Sequence, residues 1–319
     1  MRAVRYDRYG PPEVLKVIDV PEPAPGPGEV KLRVRAASLN PLDGKARAGH
    51  LRWVPVFRGP PRGTGFDVAG EIVAVGSGAP PRHMGERVFG ALSPMVRDGA
   101  FAEYAVIPAA SLAAIPDGID FAPAAALPVA GGTAWQALAE HGRLTSGQRV
   151  LITGAAGGVG HFAVQVAKHL GAHVVGVCSA GNADFVRGLG ADEVVDYARD
   201  DFTHRADRFD VVFDAACAST FNAARQVLTE SGCYINTAGN FGAAMNTAAS
   251  GVLARFTSKQ RAIAFVLKAG GATWQRLAEL ARDGVLRPHI ERTITLEETA
   301  DAQRAMETGH SRGKVVVLP

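Results

Sequence analysis

A glycine-rich turn between a buried strand and an apolar helix is the feature that most constrains this sequence. The strand pattern Val150-Leu151-Ile152-Thr153 runs into Gly154-Ala155-Ala156-Gly157-Gly158-Val159-Gly160 and then into a helical stretch. A pyrophosphate is bound by backbone N–H groups and the positive end of a helix, and a side chain would hold it at a distance. Gly157 permits the close approach and Gly160 permits close helix–strand packing, although the first glycine of the G-x-G-x-x-G fingerprint is Ala155 here. We therefore predict a dinucleotide site. Its predicted binding residues in the turn are Ala156, Gly157, Gly158 and Val159.

The segment around this turn alternates between strand and helix patterns. Amphipathic stretches, including 159–170 and 182–189, lie between short apolar runs. Alternation over this length predicts a parallel, doubly wound (Rossmann) sheet with right-handed crossovers, and thus an α/β fold class. The predicted strands are 149–152, 173–177, 193–195, 210–213, 233–236 and 262–266.

The two ends of the chain are β-rich instead. Val30-Lys31-Leu32-Arg33-Val34-Arg35 alternates apolar and polar residues, as a half-buried strand does. A helix is predicted at 273–282, and the chain ends in a predicted strand at 314–318. Because this ending resembles the first segment, we expect it to return to the first lobe. The expected domains are 1–122, a dinucleotide-binding domain at 123–268, and a returning segment at 269–319.

Composition and charge argue against several classes of function. The 319 residues suggest about two domains. The net charge is +3 without a basic run or an aromatic-plus-basic stripe, so nucleic-acid binding is not expected. No apolar stretch approaches the ~20 residues of a membrane helix and no signal peptide is recognised, so we expect a soluble, cytoplasmic protein without membrane contact. The cysteines have no paired spacing, which argues against disulfides and a structural zinc site. They are Cys178, Cys217 and Cys233.

The end of the second predicted strand indicates which nicotinamide cofactor is used. An acidic residue there would bind the ribose 2′-hydroxyl of NAD, whereas a basic residue nearby favours NADP. The stretch Val177-Cys178-Ser179-Ala180-Gly181-Asn182 contains no acid, and Ser179 and Asn182 can hydrogen-bond a phosphate. Arg187 is the nearest downstream cation, either a phosphate partner or an ordinary solvated helix residue. NADPH is favoured, and NADH stays possible.

A set of short motifs in a fixed order spans nearly the whole chain. They are Asn40-Pro41-Leu42-Asp43, Gly65-Phe66-Asp67-Val68-Ala69-Gly70, Gly85-Glu86-Arg87-Val88-Phe89-Gly90, Gly99-Ala100-Phe101-Ala102-Glu103-Tyr104, Ala124-Ala125-Ala126-Leu127-Pro128, Gly132-Thr133-Ala134-Trp135, the glycine-rich turn, Gly190-Ala191-Asp192-Glu193-Val194-Val195-Asp196-Tyr197 and Gly313-Lys314-Val315-Val316-Val317. In these motifs the sequence resembles the quinone oxidoreductase (zeta-crystallin-like) branch of the medium-chain dehydrogenase/reductase superfamily.

The resemblance implies a GroES-like catalytic domain completed by both ends of the chain, an active site in the interdomain cleft, and a homodimer. It also bears on metal use. Zinc-dependent relatives have a Cys ligand where this chain has Asn40, and a His-Glu pair where it has Phe66-Asp67. Asparagine and phenylalanine cannot replace a thiolate and an imidazole as zinc ligands, so we expect an enzyme without zinc.

The resemblance also assigns cofactor contacts. It puts Ser179, Asn182 and Tyr197 at the 2′-phosphate of NADPH and Thr133 near the nicotinamide. Close relatives often carry Arg or Lys at the position of Gly181 or Asn182, so the preference for NADPH is expected to be weaker here. Gly239 and Phe241 follow the fifth strand, where the carboxyl ends of the strands meet the cofactor. We count both as cofactor-binding candidates.

Without a metal, hydrogen bonds must polarise the substrate carbonyl while the cofactor delivers hydride. The candidate donors are Asn40 and Lys45, and Asp43 either orients this stretch or is structural. Trp53 and Phe57 could form walls of the substrate pocket, or pack as ordinary loop residues. We predict an NADPH-dependent reductase of quinones or other α,β-unsaturated carbonyls. Two alternatives stay open at this point: an enoyl-thioester reductase of the same superfamily, and a cofactor-binding structural or regulatory protein without turnover.

Overall fold

The computed structural model describes residues 1–54, 59–93, 98–237, 241–309 and 311–319. Two compact units are present. The first combines residues Met1–Gly132 with Lys268–Pro319, and the second is Thr133–Leu267. Among the described residues, no helix has the length and apolar character needed to cross a membrane.

The first unit is built mainly of strands. They are β1 (Arg2–Tyr6), β2 (Lys16–Asp19), β3 (Glu29–Ser38), β4 (Arg62–Gly63), β5 (Asp67–Val75), β6 (Arg87–Ala91), β7 (Tyr104–Pro108) and β8 (Leu112–Ala114). The larger sheet centres on β3, which pairs antiparallel with β5 and β7. Alternate residues of β3 are buried because its apolar side chains recur with a period of two. The smaller sheet has the order β2-β1-β4.

The strands of the second unit are β9 (Arg149–Thr153), β10 (His173–Cys178), β11 (Glu193–Asp196), β12 (Phe209–Asp214), β13 (Leu228–Thr237) and β14 (Arg261–Phe265). All their pairings are parallel, in the order β11-β10-β9-β12-β13-β14. Numbered along this unit, that is the 3-2-1-4-5-6 order of a dinucleotide-binding fold. In this order the direction of winding reverses between β9 and β12, and ligands bind at the carboxyl ends of the strands beside that point.

The last two strands, β15 (Ile290–Ile294) and β16 (Lys314–Val317), belong to the first unit. β16 pairs antiparallel with β3 through Val316 opposite Ser38, and β15 extends the sheet on its other side. The whole of β16 is buried. The end of the chain therefore lies directly beside the residue that leads from β3 into the Asn40 segment.

Helices connect these strands. The α-helices are α1 (Pro41–Arg47), α2 (Phe121–Ala126), α3 (Pro128–Trp135), α4 (Gly160–His169), α5 (Ala183–Gly188), α6 (Phe221–Ala224), α7 (Phe241–Thr257), α8 (Gly271–Arg282) and α9 (Thr299–Glu307). A π-helical segment covers Gln136–His141, and short 3₁₀ turns cover Pro12–Val14, Ala109–Ser111, Ala180–Asn182, Phe202–His204 and Arg225–Val227.

Candidate functional site

The glycine-rich turn joins the end of β9 to the start of α4. Gly154 takes φ of 61°, a left-handed conformation that glycine adopts without strain. A Cβ atom on Gly160 would lie 2.0 Å from the carbonyl oxygen of Gly154, so only glycine allows the helix to start this close to the strand. A Cβ atom on Gly157 would approach the same oxygen only to 3.3 Å and meet no other atom within 4 Å. Gly157 therefore faces open space.

Backbone N–H groups of this turn are available to a ligand. The N–H groups of Ala156, Gly158 and Val159 donate to no oxygen in the described part of the chain. The N–H of Gly157 is used locally, in a 2.9 Å bond to Gly154. Because these groups surround the amino-terminal end of α4, the helix dipole adds positive potential. The arrangement fits the pyrophosphate of a dinucleotide, as the sequence predicts.

The predicted ribose contacts lie at the ends of two neighbouring strands. Ser179 follows β10, and the Asn182 side-chain amide donates to its hydroxyl at 3.1 Å. Tyr197 follows β11, its backbone N–H bonds the carbonyl of Cys178 at 3.2 Å, and its side chain is 59% exposed. The structure thus brings these residues to one edge of the sheet. Arg187 is exposed and ion-paired with Asp184 at 2.9 Å.

A buried carboxylate organises the adjacent strand ends. Asp214, at the end of β12, accepts the Thr153 hydroxyl at 2.5 Å and the Tyr234 hydroxyl at 2.8 Å. It also accepts the backbone N–H groups of Ala218 at 3.0 Å and Ser219 at 2.9 Å. Thr153 in turn accepts the N–H of Ala216 at 3.2 Å. Asp214 therefore links the residue before the glycine-rich turn to β13 and to the loop after β12.

The other predicted cofactor and pocket residues are placed as follows. Thr133 lies on α3 and is buried. Gly239 and Phe57 lie outside the described residues, and Phe241 is the first residue of α7, with a side chain that is also outside them. Trp53 is 81% exposed.

In the first unit, Asn40 belongs to a buried polar cluster. Its Nδ2 donates to Asp67 Oδ2 at 2.8 Å and, at a longer 3.4 Å, to the carbonyl of Ser38. Its Oδ1 accepts from Lys314 Nζ at 2.8 Å. Lys314 also donates to the Leu39 carbonyl at 2.8 Å and to Asp67 Oδ2 at 3.3 Å. Burial lowers the pKa of Lys314, and the charges of Asp67 and Asp43 oppose that effect.

Asp67 is saturated with donors. Besides Asn40 and Lys314, its Oδ2 accepts the Ser38 hydroxyl at 2.7 Å, and its Oδ1 accepts the Val129 N–H at 2.9 Å. Its side chain is completely buried. The four donors equal the roughly four acceptor positions of a carboxylate, with three donors at Oδ2 and one at Oδ1.

Asp43 fixes the start of α1. Its Oδ2 accepts the backbone N–H of Asn40 at 2.7 Å, and its Oδ1 accepts that of Gly65 at 3.0 Å. Asp43 therefore orients the Asn40 stretch and ties it to the segment before β5. Burial raises the pKa of Asp43 to about 7; the Asp67 charge adds to this, while the two N–H bonds and Lys314 oppose it. Lys45, the other predicted donor, lies on α1 and is half-buried.

The raised pKa of Asp43 predicts a pH-dependent stability. A carboxyl with a pKa near 3.9 when unfolded and about 7 when folded binds its proton more tightly in the native state. The contribution of Asp43 to the free energy of unfolding therefore falls as pH rises from about 4 to about 7, by up to ~4 kcal/mol. Above that range it is constant. We expect the difference in unfolding free energy between the wild type and Asp43→Asn to follow this slope. Denaturant unfolding of both proteins across this pH range measures it, and a pH-independent difference would contradict it.

Sequence reasoning missed three of these roles. Asp67 and Lys314 stand in the quoted motifs without a positioning role, and Asp214 follows the strand predicted at 210–213 and is not among the predicted site residues. A signal was nonetheless present for Lys314, because an ionisable residue that opens an otherwise apolar, buried strand requires a partner. Nothing in the local sequence identifies that partner.

Metal-ligating side chains do not gather in the first unit's polar cluster. Within the described ranges, no three His, Cys, Asp or Glu side chains are arranged to hold a metal ion. At the positions of the zinc ligands of zinc-dependent relatives, Asn40 is committed to Lys314 and Asp67, and Phe66 has no metal-binding atom. The chemistry of this donor set does not fit zinc.

Two protein families match the chain. Residues 26–117 match the alcohol dehydrogenase GroES-like domain, and residues 189–317 match the family described as zinc-binding dehydrogenase. A chloroplastic quinone-oxidoreductase homolog from Spinacia oleracea is 36% identical over 100% of this chain and 98% of its own length. A chloroplastic NADPH-dependent alkenal/one oxidoreductase from Arabidopsis thaliana is 32% identical over 100% of this chain and 80% of its own.

Among solved structures, the quinone oxidoreductase from Coxiella burnetii aligns with a TM-score of 0.89 and 31% identity. The alignment covers 100% of this chain and 99% of that one. Together with the GroES-like match and the parallel strand order of the second unit, this similarity confirms the predicted fold class.

Proposed function

Because this chain belongs to the quinone oxidoreductase branch of the medium-chain dehydrogenase/reductase superfamily, we propose that it reduces quinones or other α,β-unsaturated carbonyls with NADPH. The observation that carries the proposal is the glycine-rich turn, whose unpaired N–H groups at Ala156, Gly158 and Val159 fit a pyrophosphate. The cofactor supplies the hydride, and the protein binds, orients and polarises. Relatives named for quinone and alkenal/one substrates support the substrate class.

NADPH is the proposed cofactor. The Ser179 hydroxyl and the Asn182 amide, 3.1 Å apart, can both donate to a 2′-phosphate, and Tyr197 follows the neighbouring strand. Asp196, the last residue of β11, lies opposite Cys178 rather than at the ribose position after β10. Thr133, Gly239 and Phe241 complete the proposed contacts.

The preference for NADPH over NADH can be strengthened by a substitution at Gly181. A Cβ atom there meets no atom within 4 Å, so an arginine fits without displacing the chain. We expect Gly181→Arg to raise NADPH affinity by about 10-fold or more, the value of one charge-assisted hydrogen bond, and to leave NADH affinity nearly unchanged. Titration with both cofactors measures this. The matched control for added positive charge is Gly188→Arg on α5, where a Cβ atom likewise meets no atom within 4 Å. Equal gains for both cofactors would contradict the ribose assignment.

On the substrate side, Asn40 and Lys45 are the proposed donors to the carbonyl oxygen. The long 3.4 Å contact from Asn40 Nδ2 to the Ser38 carbonyl is the bond of that side chain that is easiest to exchange for a substrate oxygen. Lys45 adds an ammonium on the following helix, α1.

The reaction is proposed to proceed without zinc. The residues at the ligand positions support this, because an asparagine and a phenylalanine, Asn40 and Phe66, stand where zinc-dependent relatives have a thiolate and an imidazole. We expect purified protein to contain much less than one zinc per chain and to keep its activity in chelator. Elemental analysis and assay of the chelated enzyme check this, and a stoichiometric metal whose removal abolishes turnover would contradict it.

The test of the function is NADPH oxidation measured against a panel of quinones, enones and enoyl-CoA thioesters. Turnover of quinones or simple enones supports the proposal. Turnover of enoyl-CoA alone would reassign the enzyme as an enoyl-thioester reductase. Tight NADPH binding without oxidation by any member would indicate a binding protein.

A homodimer and a cytoplasmic location stay predictions. The outer edge of β14 pairs with no other strand among the described residues, and Val266 just beyond it is highly exposed, which supports self-association. Several relatives are described as chloroplastic or mitochondrial, so they lend no support to a cytoplasmic location.

A further inference from the structure

Lys314 is a buried cation whose ammonium donates three hydrogen bonds. Its side chain is 3% exposed, and its ammonium donates to the Leu39 carbonyl, to Asn40 Oδ1 and to Asp67 Oδ2. An ammonium has three N–H donors, so each of them has an acceptor. Desolvating a charge to this extent is costly and is tolerated only with such complete pairing.

These partners determine the orientation of the Asn40 carboxamide. Lysine can only donate and a carboxylate can only accept, so Oδ1 must face Lys314 and Nδ2 must face Asp67. The ambiguity between the amide oxygen and nitrogen is therefore removed by chemistry. With one Nδ2 hydrogen facing Asp67, the direction of the second is fixed by the planar amide. Within the described part of the chain, this second hydrogen has only the long contact to the Ser38 carbonyl.

We propose that Lys314 is a positioning residue of the reduction, which with Asp67 locks the Asn40 carboxamide so that its second N–H is presented to the substrate oxygen. The inference rests on the proposed function of Asn40 as a donor. Lys314 touches no reacting atom and acts through Asn40.

The charge of Lys314 has a second consequence. Asp67 Oδ2 lies 2.8 Å from the nitrogen that would donate to the substrate. As hydride arrives, negative charge develops on the substrate oxygen, and an uncompensated carboxylate so close would oppose it. Lys314 neutralises that carboxylate and also polarises the amide through its oxygen. A neutral residue at position 314 loses both effects.

The main variant is the pair Asp67→Asn with Lys314→Met, which removes the two paired charges together, so that neither is left buried without the other. We expect this double variant to fold and bind NADPH with wild-type affinity, and to transfer hydride about tenfold more slowly, with substrate KM changed less than kcat. Adding Asn40→Ala should cost little more, because the effect passes through Asn40. Lys314→Arg should keep part of the rate.

The matched control is Arg47→Met. Arg47 is another fully buried cation of the first unit, on α1, with bonds to Gln303 and Glu307 rather than to Asn40. We expect it to lower the melting temperature without changing the hydride-transfer rate. If Arg47→Met slows transfer as much as the main variant, or if the main variant reacts at the wild-type rate, the inference is wrong.

An activity-independent measurement separates this inference from the proposed function. In protein labelled with ¹⁵N-asparagine, the side-chain amide signal of Asn40, assigned by its loss in Asn40→Ala, should exchange slowly with solvent in the wild type. It should exchange much faster in the Asp67→Asn, Lys314→Met variant. A wild type that reduces no quinone or enone refutes the proposed function, whereas unchanged exchange in the double variant overturns the positioning role.

Discussion

Replacing Gly157 with valine is expected to lower NADPH affinity by about 10- to 150-fold, the value of one lost charge-assisted hydrogen bond of roughly 1.5–3 kcal/mol. The Cβ atom would lie 3.3 Å from the Gly154 oxygen and otherwise in open space, so the turn can accept the side chain with a small shift. The branched side chain then occupies the space through which a pyrophosphate reaches the N–H groups of Ala156, Gly158 and Val159. Fluorescence titration measures the affinity, and thermal unfolding checks the fold.

Valine substitutions at two further glycines are the controls for this result. Gly188→Val, on α5 with no neighbour within 4 Å of its Cβ, should leave affinity unchanged. Gly160→Val should fail at the level of folding instead, because its Cβ would lie 2.0 Å from the Gly154 oxygen. If Gly157→Val binds NADPH as the wild type does, the turn does not hold the pyrophosphate.

The elements of the second unit could be predicted because their signals are local. The strand predicted at 149–152 is observed as Arg149–Thr153, and that at 262–266 as Arg261–Phe265. Buried parallel strands are short apolar runs bounded by turns, and this pattern is visible without tertiary information. Helix ends were less accurate. The helix predicted at 182–189 is a 3₁₀ turn, Ala180–Asn182, followed by Ala183–Gly188, since helix termini depend on capping contacts.

The polar cluster of the first unit could not be predicted, because its members are far apart in the sequence. Lys314 is 274 residues from Asn40 and 247 residues from Asp67. The sequence predicts a strand from 314 and shows Asn40 after another strand, but no periodicity reveals that β16 pairs with β3. The partner of a buried charge is determined by the tertiary structure and is not visible in the local sequence.

Each unit contains a buried carboxylate that positions other groups, and the two carboxylates differ in their partners. Asp67 pairs with a cation and orients one side chain, whereas Asp214 pairs with neutral donors and holds backbone and hydroxyl groups at the strand ends. Both are completely buried. In each case the carboxylate itself is saturated, so its effect on a ligand passes through the groups that it positions.

Asp214→Ala is expected to cost about 3–5 kcal/mol of unfolding free energy and to weaken NADPH binding. It removes the acceptor for the N–H groups of Ala218 and Ser219, and each buried donor left unsatisfied costs roughly 1–3 kcal/mol. Burial raises the pKa of Tyr234, so its hydroxyl remains a donor in the variant, and it loses Asp214 as an acceptor while keeping the Ser219 carbonyl. Thr153 also loses its anchor immediately before the glycine-rich turn.

The matched control for this prediction is Asp210→Ala, at the opposite end of the same strand. Asp210 is half-buried and accepts the Arg149 N–H at 2.9 Å and, at 3.5 Å, the Thr229 hydroxyl. Its loss should cost about 1 kcal/mol and leave cofactor affinity unchanged, because it lies away from the carboxyl ends of the strands. Denaturant unfolding and NADPH titration of both variants measure these effects. Equal losses of stability in the two variants, or wild-type affinity in Asp214→Ala, would show that Asp214 does not organise the cofactor edge of the sheet.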